Sequence, residues 1–194
     1  MSGVSNAATI PGLSNGTSYW VRVQAGNSIG WGELSDAAGP SAPASTAPDK
    51  PTITGVTPGD GKLNVSWAAN GNDGGSSVLS WRIYAKPSSG AEIGPAIVNG
   101  GATASGEITG LTNGVTYTVT VTAVNALGEG QRSDPSANFV PYGLPGNTTI
   151  ASVVRNDATG AFTITWSAPS TDGGRPITDY VIKCVACGPV GSTT

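Results

Sequence analysis

The chain has no histidine among its 194 residues. That absence removes Ser-His-Asp and Cys-His nucleophilic arrangements and every imidazole metal ligand at once. Cysteine is nearly as scarce, with only Cys184 and Cys187. A single Cys-x-x-Cys pair with no second pair and no histidine does not supply four zinc ligands, and the βαβ surroundings of a thioredoxin-like motif are missing. The two residues read as a pair of thiols or as a local strand-to-turn disulfide. Charged residues make up 11% of the chain, nine cations against twelve anions for a net charge of −3, and the Lys and Arg residues are scattered singly. No basic footprint exists, so nucleic acid is not an expected partner. There is no run of about 18 apolar residues to span a membrane, and the N-terminal MSGVSNAATI lacks the basic and apolar regions of a secretion signal.

What is present is turn-forming and repetitive. The 29 Gly and 14 Pro, with many Ser and Thr, describe short strands joined by frequent turns, an all-β composition. Gly12 to Asp36 recurs as Gly110 to Asp134 at an offset of 98 residues, and Leu63 to Ile83 recurs as Phe162 to Ile182 at an offset of 99. A repeat of that length is one small all-β domain. Only the middle of the chain holds both motifs. By these offsets Thr194 corresponds to Pro95 and Met1 to Asn99, so the two outer parts would add up to one repeat lacking only the equivalents of residues 96 to 98.

Period-two alternation marks the strands. Leu63, Val65 and Trp67 alternate with polar residues, as do Phe162, Ile164 and Trp166 in the copy. Polar turns built on Asp73-Gly74-Gly75 and Asp172-Gly173-Gly174 follow, with glycines for positive φ. Alternation then resumes with Trp81, Ile83 and Ala85, matched by Tyr180, Ile182 and Cys184. Tyr117, Val119, Val121 and Ala123 form a further inward set, matched by Tyr19, Val21, Val23 and Ala25. No segment has a helical period. The Pro-rich stretches Pro40 to Pro51 and Pro141 to Pro145 read as short, stiff domain junctions.

In this order, from the strand with Trp67 through Gly110-Leu111-Thr112-Asn113-Gly114-Val115-Thr116-Tyr117 to Val119-x-Val121-x-Ala123-x-Asn125-x-x-Gly128-x-Gly130, the chain resembles a fibronectin type III domain. The Gly/Ser/Thr-rich character is similar to bacterial or phage-type tandem arrays. The resemblance implies an immunoglobulin-like β-sandwich, with Tyr19 and Tyr117 as tyrosine corners and Trp67, Trp81, Trp166 and Tyr180 in the core. It divides the chain into the C-terminal half of one domain (1–47), a complete domain (48–143) and the N-terminal half of a third (144–194).

No catalytic, cofactor or metal residues are expected. Asp60, Asp73, Asp157, Asp172 and Asp179 sit at loops or strand edges and read as turn residues, without the dense oxygen spacing of a calcium loop. Trp20 falls on outward parity beside Tyr19, and Trp31 lies in the turn Asn27 to Gly32; their matches are Thr118 and Glu129. Neither aromatic is needed by a sandwich core, so each is a candidate contact residue, for an adjoining domain or subunit in the favoured reading and for a sugar ring or protein partner in the other.

Half a sandwich exposes an apolar face and unpaired strand edges. The expectation is therefore a non-catalytic structural repeat protein of an extended extracellular, cell-surface or virion-surface fibre. Its outer halves would be completed head-to-tail by neighbouring copies or by adjoining repeats of the same protein. The alternative expectation is a carbohydrate- or protein-binding module of a larger secreted enzyme, adhesin or phage tail protein, with a glycan or cell-surface protein as partner.

Overall fold

The computed structural model describes residues 6–69 and 71–183, and these contain thirteen β-strands and no helix. The centre of the chain is a two-sheet sandwich. One sheet runs β5 (Thr52–Gly59), β6 (Lys62–Ala68) and β9 (Ser105–Thr109). The other runs β11 (Gly128–Glu129), β10 (Tyr117–Asn125), β7 (Ser80–Pro87) and β8 (Ile93–Asn99). All pairings are antiparallel.

The alternation sets which face is covered. Leu63, Val65 and Trp67 of β6 face Ile83 and Ala85 of β7 and Val119, Val121 and Ala123 of β10, each 2% exposed or less. Burying each aliphatic side chain is worth about 1.5–3 kcal/mol. Trp67 and Trp81 meet across the core with ring centroids 5.5 Å apart in a tilted arrangement. At the end of β10 the Tyr117 hydroxyl accepts the Thr112 amide at 3.0 Å, closing a tyrosine corner.

The flanking segments form two-stranded sheets only. In the N-terminal segment β1 (Tyr19–Val21) pairs β4 (Ala38–Ser41), and β2 (Gln24–Gly26) pairs β3 (Trp31–Leu34). In the C-terminal segment β12 (Thr149–Arg155) pairs β13 (Phe162–Ser167). Three sequence expectations need correction here. Trp31 is the first residue of β3 rather than part of the turn, and Pro40 lies inside β4, so the first junction begins after that strand. The alternation through Tyr180 and Ile182 also forms no ladder. Their equivalents in β7 are held from both sides by β8 and β10, and among the described residues the C-terminal segment has neither neighbour.

Asn125 ties the sandwich to the segment before it. The residue is 3% exposed, and its amide donates to the carbonyls of Thr46 at 2.7 Å, Asp73 at 2.9 Å and Ser76 at 3.3 Å, while its oxygen accepts the Leu127 amide at 2.9 Å. Asn125→Ala leaves those part-buried carbonyls without their donor, a loss of about 1–3 kcal/mol. Asn125→Asp turns an acceptor toward them and should cost more; a thermal melt in which Asp equals Ala would contradict this account.

Candidate assembly surfaces

The flanks and the centre are the same strands in different company, which allows comparison position by position. Val119 and Val121 are fully buried, and their equivalents Val21 and Val23 are 37% and 70% exposed. Leu63 and Ile83 are fully buried, and their equivalents Phe162 and Ile182 are 62% and 61% exposed. The N-terminal strands carry the edge bonds of β10 on one side only. Ser35 donates to the Val23 carbonyl as Ser133 does to that of Val121, both bonds being near 2.9 Å, and nothing among the described residues lies where β7 would pair.

Local geometry in the flanks is nonetheless that of the centre. The Tyr19 hydroxyl accepts the Ser14 amide at 3.0 Å, the same corner as Tyr117. Trp166 and Tyr180 pack with centroids 5.3 Å apart, as Trp67 and Trp81 do. Tyr19 and Trp166 are half-buried and Tyr180 is exposed, because no opposing sheet covers them among the described residues. Cys184 and Cys187 lie outside the described residues.

Trp20 and Trp31 are both exposed, and they stand apart. A Cβ on Gly26 would lie 2.7 Å from the Trp31 ring, so Trp31 covers the bare backbone of Gly26. Trp20 is six residues up the same run, about 20 Å at about 3.3 Å per residue. One sugar ring does not bridge that gap. In the centre the pair matching Gly26 and Trp31 is Val124 and Glu129.

Around Glu129 the outward face of the four-stranded sheet holds a cluster that the sequence reading missed. Glu129 accepts the Tyr84 hydroxyl at 2.8 Å, the Thr122 hydroxyl at 2.9 Å and the Arg82 guanidinium. Arg132 lies 3.7 Å above the Tyr84 ring and pairs with Glu92 at 2.6 Å. Tyr84 is thereby 8% exposed although it points away from the core. The available signal was a concentration of charge at outward parity in a chain with little charge elsewhere. Burial opposes ionisation of Glu129, but the three hydrogen bonds and the Arg82 charge outweigh it and hold the carboxyl below its usual value. Desolvation, reinforced by Glu129, raises the Tyr84 phenol.

Four of the five carboxylates singled out from the sequence are occupied with loop geometry. Asp73 and Asp172 accept the amides of Gly75 and Gly174, each at 2.8 Å. Asp60 accepts the Asn113 amide at 2.6 Å, and Asp157 pairs with Arg155 at 3.3 Å. Among the described residues no three His, Cys, Asp or Glu side chains converge as metal ligands, and no helix is long and apolar enough to cross a membrane. A hollow of about 420 Å³ lined by Asp49, Asn72, Asp73, Ser77, Trp81 and Gly101 holds two carboxylates, Asp49 bound by Asn72 and Asp73 by Gly75.

Two antiparallel sheets, a tyrosine corner and paired core tryptophans define a class of sandwich, and the comparisons with known proteins name it. Residues 46–139 match the family model of the fibronectin type III domain. The chain therefore carries a fibronectin type III domain. It is 28% identical over 189 residues to the M-protein of striated muscle from Gallus gallus, covering 91% of this chain and 13% of that protein. It is 38% identical over 104 residues to Brother of CDO from Homo sapiens, covering 52% of this chain and 9% of that protein. The chain thus spans a small part of the length of these relatives. Among solved structures it is similar to the FN1-FN3 domains of chicken CNTN1, at 24% identity and a TM-score of 0.43, covering 67% of this chain and 43% of that one.

Glu129 yields a pH test. A carboxyl lowered in the fold adds stability above its unfolded value, about 4.3, and loses it as pH falls through the folded value. Glu129→Gln should melt below the parent at pH 7, with the gap closing under about pH 4; identical melting temperatures at pH 7 would remove Glu129 from the stabilising network.

Proposed function

We propose that the chain is a non-catalytic structural or adhesion-type repeat module, a stretch of fibronectin type III repeats in an extended extracellular or surface fibre. Residues 1–47 are the closing strands of one repeat, 48–143 a whole repeat and 144–194 the opening strands of another. Strands from neighbouring copies or adjoining repeats of the same protein complete the two outer parts. One observation carries this reading: positions buried in the centre are exposed at their equivalents in both flanks, while the Tyr19 corner and the Trp166–Tyr180 contact keep the geometry of a covered sheet. A face of Val21, Val23, Ile150, Val153, Phe162 and Ile182 fits an apolar strand partner better than water.

The similarity to M-protein and to Brother of CDO supports a module that works by being joined to protein neighbours. The carbohydrate alternative draws on the exposed rings of Trp20 and Trp31, whose separation requires an extended glycan.

The test is assembly of the 194-residue chain followed by sedimentation. Tyr19→Ala and Trp166→Ala each remove an aromatic from a shared outer core, at about 3–5 kcal/mol. Both should abolish concentration-dependent species while the central sandwich still melts cooperatively. Variants that assemble as well as the parent, or a parent that stays monomeric with protease-resistant flanks, would refute shared completion.

A further inference from the structure

Two contacts in the chain are copies of each other, and they lie between repeats. In the first, the loop Asp73-Gly74-Gly75 meets the turn Asn15-Gly16: a Cβ on Gly75 would lie 2.7 Å from the Gly16 nitrogen, and one on Gly16 would lie 2.6 Å from the Gly75 oxygen. In the second, the loop Asp172-Gly173-Gly174 meets the turn Asn113-Gly114, and a Cβ on Gly174 would lie 2.5 Å from the Gly114 nitrogen. The preceding glycine of each loop is buried against linker carbonyls, Gly74 at 2.8 Å from that of Ala47 and Gly173 at 2.6 Å from that of Leu144, measured to the missing Cβ.

The hydrogen bonds repeat as well. Gly16 donates to the Pro43 carbonyl at 3.1 Å, and Gly114 to that of Pro141 at 2.9 Å. Thr46 donates to the Gly74 carbonyl and Gly143 to that of Gly173, both at 2.8 Å. Asp49 donates to the Asn72 carbonyl at 3.1 Å and Gly146 to that of Thr171 at 2.9 Å. These bonds survive although the linkers differ, PASTAPD from Pro43 and PYGLPG from Pro141.

We propose that this pair of turns is a docking surface between successive repeats. The Asn-Gly turn before a tyrosine corner is one half, and the Asp-Gly-Gly loop of the following repeat is the other. The partner it fits is a further repeat of this same kind, since the contact is backbone on backbone and any side chain at either glycine fills it. Each repeat thereby fixes the direction of the next through the linker its loop grips. The joint does not depend on what completes the outer segments, since both instances lie within the described residues.

Substitution by asparagine tests it, because that residue tolerates the positive φ these turns require. Gly16 and Gly114 have φ of +70° and +81° and touch the joint; Gly12 and Gly110 have φ of +78° and +75° with nothing within 4 Å of a built Cβ. In the 194-residue chain, Gly16→Asn should move the amide resonances of Thr46, Gly74 and Gly75, and Gly114→Asn those of Gly173 and Gly174. Gly12→Asn and Gly110→Asn should leave all five in place. Residual dipolar couplings of the parent should fit one alignment tensor across each joint, and those of the two joint variants should need separate tensors. Spectra in which joint and control variants behave alike at these amides, or parent couplings that already need separate tensors, would overturn the proposal.

Discussion

A pleated strand with apolar residues on one face has to be covered on that face, and everything in this chain follows from where the cover is found. In the centre, β6 and β7 supply it for one another. Trp67 and Trp81 share a contact, and Leu63, Val65, Ile83, Val119 and Val121 have no access to water. In the flanks the same strands arrive with the same turns and corners but without the opposing sheet. Local geometry therefore holds while burial does not, which separates what a turn dictates from what a core dictates.

Alternation and repetition made the sandwich legible. The inward set Tyr117, Val119, Val121 and Ala123 follows from period two alone, and the 98-residue offset carried each inference onto Tyr19, Val21, Val23 and Ala25. What alternation does not carry is the identity of the neighbour. Tyr180 and Ile182 have the pattern of β7 but no ladder among the described residues, because pairing is a property of two strands and not of one pattern. The sequence places Trp31 in a turn from Asn27 to Gly32, yet it opens β3 and lies over Gly26, a packing that no single-position propensity encodes. The Glu129 cluster was hidden for a similar reason: Arg82, Tyr84, Thr122 and Glu129 come from three strands, and their meeting depends on the β7–β10–β11 register.

That cluster also explains how a chain with so few charges carries a Tyr on an outward face. Tyr84 is roofed by Arg132, which is in turn held by Glu92, and its hydroxyl is anchored on Glu129. The N-terminal segment has no counterpart to this set. Its equivalents of Thr122, Glu129 and Arg132 are Gln24, Trp31 and Leu34, an uncharged version of the same edge. The outward faces of successive repeats thus differ in chemistry while their inward faces agree, as expected where the fold constrains one side and neighbours constrain the other.

The register of β7 on β10 bears on which polypeptide would complete the outer parts under the proposed function. If a second copy of this chain did so with the central register, Tyr180 would stand opposite Ala25 as Trp81 does opposite Ala123, and Ile182 opposite Val23 as Ile83 does opposite Val121. The inward face would be well matched. Outward, the pair corresponding to Thr120 and Tyr84 would be Arg22 and Lys183, two cations directly opposed. Such a pair costs about 0.2–1 kcal/mol, small beside the burial of Val23 and Ile182, at about 1.5–3 kcal/mol for each fully covered side chain. In that arrangement the burial would exceed the repulsion, which added salt would screen, whereas an adjoining repeat with a neutral or acidic residue opposite Arg22 would gain the same burial without the repulsion.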